Sequence, residues 1–159
     1  MVSSSVAATA AALVVTATLP FYLYGAWIVI DAEVVTWDVL VHHLSFVVPG
    51  VVLNTIPVVV WMVPRLFVQL QGVNVLHAFL GLQAYALLLF GLTGIVQILR
   101  AKRRHGLYEN PDQETSLSDL HENADSWRTR LRIGVFGYLI FWILAYVVGI
   151  YRYLSGYVF

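Results

Sequence analysis

Five histidines in a chain without a single cysteine carry most of the chemistry that this sequence offers. Neutral imidazole is a nitrogen ligand for iron, copper or zinc. The lack of thiols removes zinc–thiolate sites, iron–sulfur clusters, disulfides and covalent c-type haem attachment. His42 and His43 are neighbours in VHHLSF, His77 stands in NVLHAFLGLQAY, His105 follows the basic run RAKRR, and His121 opens HENADSW. Two imidazoles facing each other across helices can hold a b-type haem. His42, His43 and His121 approach the membrane from one side and form a candidate metal set, with Asp125 as a carboxylate that could orient a ligand imidazole. His77 with Gln71 or Asn74 has the residue types that suit a quinone head group. Phosphate-binding glycine loops, a Gly-x-Ser-x-Gly elbow, a His-Glu-x-x-His pair and paired intramembrane carboxylates are all missing, so no catalytic residue is assigned and an enzyme is not the expected class.

The elements that must position these groups are membrane helices. The chain has 159 residues, 60% of them hydrophobic and 11% charged, with a mean hydropathy of +0.78; a soluble domain usually carries about 25% charged residues. Crossing a hydrocarbon core of roughly 30 Å takes about 20 apolar residues in a helix. Four segments are long enough: about 6–30, 39–63, 73–99 and 133–153. The apolar N-terminal stretch lacks the positive flank of a secretory leader and reads as the first of these spans. The expected fold is all-α, one membrane domain over 1–159 built as a bundle of four transmembrane helices. A porin-like alternation of polar and apolar residues is absent.

Seven of the nine Lys and Arg residues lie between the third and fourth segments: Arg100, Lys102, Arg103, Arg104, Arg128, Arg130 and Arg132. Positive loops stay on the cytoplasmic side, so this loop, about 100–132, is expected to be cytoplasmic, with both termini outside. Arg65 and Arg152 are the two cations then left on the outer side. Ser118 is a plausible N-cap for a short helix running into the fourth span. Pro49 and Pro57 should kink the second helix, and Pro64 ends it. Gly81, Gly91, Gly94, Gly134, Gly137 and Gly149 offer small surfaces for close helix contact, and Asn54 and Gln83 offer polar contacts between helices. A formal net charge of zero and the lack of a basic patch outside one connecting loop argue against nucleic acid as a partner. The expected partners are membrane lipid and a larger membrane complex or a second copy of the chain.

The spacing constrains a haem. On antiparallel second and third helices, His43 lies near the cytoplasmic end of its helix and His77 near the outer end of its own. Their depths then differ by roughly 10 Å at 1.5 Å per residue, which disfavours a haem held by these two alone.

The order of motifs from about Val39 onward resembles a family of small four-helix bacterial and archaeal membrane proteins, mostly of undefined function, that includes a maturation factor for haem–copper terminal oxidase. The likeness rests on VHHLSF, LHAFLGLQAYALLL and the closing HENADSWRTRLRIGVFGYLIFWILAYVVGIYRYL. It implies functional positions at His43 or its neighbour His42, at His77, His121, Arg130 or Arg132, and Tyr151. This sequence departs from the family in placing HENADSW between the third histidine and Arg128, and in a longer acidic loop. The resemblance implies an accessory or assembly protein for a respiratory haem–copper oxidase or electron-transfer chain, in the plasma membrane of a prokaryote, with haem b or copper bound through His43, His77 and His121. Two other classes fit the same residues: a small b-type cytochrome or quinone-reactive subunit, and a purely structural subunit of a larger complex.

Overall fold

Apolar runs that must satisfy every backbone N–H and C=O without water fold as helices. The computed structural model describes residues 4–31, 37–65, 67, 72–105 and 122–159, and these are helical apart from short turns. The elements are α1 (Ser4–Ala17), α2 (Leu19–Ile30), α3 (Trp37–Pro57), a π-helical turn (Val58–Met62), α4 (Val63–Arg65), α5 (Val73–Arg104) and α6 (Ala124–Tyr157). Among the described residues they make four helical stretches long and apolar enough to cross a membrane: Ser4–Ile30, Trp37–Arg65, Val73–Arg104 and Ala124–Tyr157. The described residues are all-helical, with the features of a multi-pass membrane protein.

Two of these helices overrun the apolar segments. With 32 and 34 residues, α5 and α6 are each about 50 Å long, well beyond a core of about 30 Å. The basic collar Lys102, Arg103 and Arg104 forms the last turn of α5, where cations meet the negative end of the helix dipole. The run RTRLR belongs to α6, because Arg and Leu are good helix formers. Residues 100–104 and 124–132 of the expected loop are therefore helical; the Ser118 cap lies outside the described residues.

The chain divides into two compact units. The first comprises residues 1–76 and 146–159. In it the first span breaks between α1 and α2 at Thr18, whose side chain is fully buried. Pro20 in the first turn of α2 has no N–H, and its ring cannot follow the preceding helix without displacing the carbonyl four residues back. The Thr18 hydroxyl donates to the Val15 carbonyl at 2.6 Å, satisfying a group at the interruption. The second span is distorted in a similar way. Pro49 lies inside α3 and Pro57 ends it, and the next turn widens to a π-helix in which the Val63 N–H reaches the Val58 carbonyl. This wide turn lies between Pro57 and Pro64, two residues that donate no ladder hydrogen bond. Above it the Arg65 guanidinium sits 5.3 Å from the centroid of the Trp61 ring. The Trp61 indole nitrogen is buried without a hydrogen-bond partner.

Polar contacts tie α1 to the end of α6 within this unit. Thr9 and Tyr153 hydroxyls are 3.1 Å apart, and Thr16 and Tyr146 hydroxyls 3.2 Å apart. Seven residues later on α1 corresponds to seven residues earlier on α6, so the two segments run antiparallel. A turn through Gly72, with a φ of +54° that suits glycine, leads into α5.

The second unit comprises residues 77–145 and pairs the body of α5 with the body of α6. The helices meet through glycine. A Cβ on Gly91 would stand 3.2 Å from the Gly134 Cα, one on Gly94 2.6 Å from the Trp127 carbonyl oxygen, and one on Gly137 2.8 Å from a Leu87 methyl. Buried positions here include Leu80, Ala84, Ala101, Ala124, Trp142 and Ala145.

Both units bury mostly small residues and leave many large apolar ones exposed, Leu80 and Trp142 being buried exceptions. Ala8, Gly25, Gly50, Ala84, Gly91 and Gly134 are buried, whereas Leu89, Phe136 and Val147 are exposed. In lipid, helices gain nothing by hiding leucine from water, so contact goes to the residues that let backbones approach most closely.

Candidate functional site: a histidine on α3 and its carbonyl partner on α2

His43 lies in the second turn of α3, half-buried against α2. Its Nδ1 is 2.7 Å from the carbonyl oxygen of Gly25. A carbonyl only accepts, so Nδ1 carries the hydrogen, and in the neutral ring the lone pair is then on Nε2. Metal-binding histidines are oriented in the same way, by donation from the other ring nitrogen to a carbonyl or carboxylate. Gly25 makes the contact short: a Cβ there would lie 2.6 Å from Cγ2 of Val47, and the β-branched valine has little rotamer freedom to yield in a helix. One further pair of turns along, Gly50 approaches Phe21 and Tyr22, where a Cβ would meet both at 3.2 Å.

Adjacent helical residues point about 100° apart, and the two neighbouring histidines are accordingly separated. His42 is exposed and belongs to an aromatic group on the outside of the α2–α3 contact. Its ring centroid is 6.2 Å from Tyr24 and 5.6 Å from Phe46, and Tyr24 and Phe46 meet edge to face at 4.5 Å. The pair that the sequence left as alternatives is thus resolved by partner: His43 is held by a backbone carbonyl, His42 by rings.

The remaining candidates are distributed elsewhere. His77 is half-buried in the first turns of α5 and makes a contact of its own. His105 follows the last residue of α5, with its Nδ1 donating to the Ala101 carbonyl at 2.9 Å, a C-terminal cap. Asp125 lies 3.7 Å from Arg128 in an exposed i, i+3 pair at the start of α6. Arg130 and Arg132 are exposed. His121 and Gln71 lie outside the described residues. Asn74 and Tyr151 line one cleft, at the beginning of α5 and the end of α6. Among the described residues no three of His, Asp and Glu gather as a metal site would require.

Sequence reasoning overlooked Gly25, Gly50 and Thr18. Gly25 had a visible signal, since it interrupts the aromatic run FYLYGAW, but its partner carbonyl contact is a tertiary feature. Thr18 two residues before Pro20 was likewise readable as a helix interruption.

The family described as "Domain of unknown function (DUF7321)" matches residues 4–158, and the chain belongs to it. The chain has no match among curated proteins or among solved structures.

Proposed function

We propose that this member of the DUF7321 family is a membrane accessory or assembly protein of a respiratory haem–copper oxidase or electron-transfer chain, in the plasma membrane of a prokaryote, and that it binds haem or copper through His43. The observation that carries the reading is the 2.7 Å contact from His43 Nδ1 to the Gly25 carbonyl, which leaves Nε2 as an oriented ligand nitrogen. The motif order in the histidine-bearing segments supports it, with His77 and His121 as the further ligands that the resemblance implies. Haem or copper, when bound, supplies a one-electron centre or a group to be delivered. The chain's own part is to hold one imidazole tautomer, through the Gly25 carbonyl.

In this reading both termini face outward and the segment between α5 and α6 faces the cytoplasm. The seven cations between residues 100 and 132 support that orientation. The antiparallel pairing of Thr9 with Tyr153 and of Thr16 with Tyr146 supports placing the termini on one side. Its partners are lipid and a larger membrane complex or a second copy of the chain.

The test is a reduced-minus-oxidised visible spectrum with metal analysis, on the detergent-purified parent and on His43→Ala, His77→Ala and His42→Ala. Haem or copper lost in His43→Ala and retained in His42→Ala is the expected result. Near-stoichiometric, redox-active haem would move the assignment to a b-type cytochrome. Neither group in the parent, with all variants alike, would overturn the reading in favour of a structural subunit.

A further inference from the structure

The start of α5 and the end of α6 line an open cleft of about 460 Å³ in the first unit, a volume within the range of roughly 300–1,000 Å³ of small-molecule sites. Asn74 stands on its α5 side, and Tyr151, Arg152, Ser155 and Tyr157 on its α6 side. Among the described lining residues Arg152 is the one cation, and none is a carboxylate. The cleft therefore suits an anion. The donors are of the right kind: a guanidinium fork matches phosphate oxygens in a bidentate manner, and the Asn74 amide and the Tyr151 and Tyr157 hydroxyls add neutral donors. Ser155 already donates to the Tyr151 carbonyl at 2.8 Å, so it lines the cleft without supplying a proton. The wall is braced, because Tyr157 stacks on Tyr153 at 6.1 Å and Tyr153 meets Thr9 of α1. Gly156 leaves room, since a Cβ there would meet nothing within 4 Å.

We propose that this cleft binds a phosphate group through Arg152 and Asn74, and that its source is the headgroup of an anionic phospholipid. The source follows from position. The cleft lies where one apolar span begins and another ends, the depth at which lipid phosphates reside, and exposed apolar surface at Leu154 and Val158 borders its α6 side. An arginine at the end of a span reaches the headgroup layer while its stem stays in the apolar zone.

The test is native mass spectrometry of the full chain, delipidated in detergent and titrated with phosphatidylglycerol, with diacylglycerol lacking the phosphate, and with inorganic phosphate. One phosphatidylglycerol per chain is expected, weakened about tenfold in Arg152→Gln and about fivefold in Asn74→Ala, the scale of losing a hydrogen bond to a charged group. Diacylglycerol should bind parent and variants alike, and Arg65→Gln should bind phosphatidylglycerol as the parent does. Circular dichroism checks that each variant is folded, and Asn74→Ala reads the site if Arg152→Gln is not. Inorganic phosphate bound with the same Arg152 and Asn74 dependence, without lipid preference, would keep the phosphate site and replace its source. Phosphatidylglycerol and phosphate binding indifferent to both substitutions would overturn the proposal.

Discussion

His43 on α3 donates its Nδ1 hydrogen to the Gly25 carbonyl on α2 across 2.7 Å, and the absence of a side chain at residue 25 makes that approach feasible. A Cβ at residue 25 would lie 2.6 Å from Val47 Cγ2, so Gly25→Val should force α2 and α3 apart. The expected cost is about 1–3 kcal/mol, as for other overpacked contacts, read as a lower midpoint for loss of helix signal on denaturant titration in micelles. Any haem or copper held by His43 should be lost with it. A Gly25→Val protein as stable as the parent would mean that the α2–α3 contact is not rigid.

A sharper contrast is available in the second unit. A Cβ on Gly134 would press on the backbone of Gly91 and come within 2.8 Å of the Leu87 carbonyl oxygen, whereas one on Gly81 would meet nothing within 4 Å. Backbone atoms cannot rotate away. Gly134→Ala should destabilise by about 1–3 kcal/mol, while Gly81→Ala should be neutral or slightly stabilising, since Ala is the better helix former. Equal unfolding midpoints for the two variants would contradict the close α5–α6 contact.

The two hydroxyl pairs between α1 and α6 give a double-mutant test. Thr9→Val with Tyr153→Phe removes a contact of 3.1 Å, and Thr16→Val with Tyr146→Phe one of 3.2 Å. Hydrogen bonds between membrane helices average about 0.6 kcal/mol in such cycles. Each pair should show coupling of that order, and the mixed pair Thr9→Val with Tyr146→Phe none.

The lack of native cysteine makes orientation directly measurable by single-cysteine labelling in intact cells. With both termini outside, a cysteine at Phe159 should react with an impermeant maleimide without permeabilisation, and one at Arg103 only after it. The reverse pattern would invert the topology inferred from the basic loop.

The candidate ligand has its own discriminating pair. His42 packs on Tyr24 and Phe46 rings, so His42→Phe should retain bound haem or copper to within about twofold. His43→Phe, which removes the nitrogen on Gly25, should abolish binding, by analogy with the 10-fold to 100-fold losses seen even for outer-shell changes.

Which parts of this protein were legible in advance follows from the range of the forces involved. Apolar length is a local property of the chain. The four helical spans were readable because a run of about 20 apolar residues has no other way to satisfy its backbone in lipid. Helix extension past the apolar runs was less legible, because RAKRR and RTRLR are charged yet are good helix formers. The glycines of α5 and α6 were recognisable as packing residues by type. Their pairing, Gly91 on Gly134 and Gly137 on Leu87, depends on how two helices separated by a long connection are set against each other, and no local pattern encodes that register. The same holds for VHHLSF. Sequence placed two adjacent histidines in one helix, and 100° of rotation per residue ensured that they would part. Only the position of α2 decided that His43 would meet a carbonyl and His42 an aromatic surface, because that choice depends on where a glycine on a different helix opens a gap in the packing.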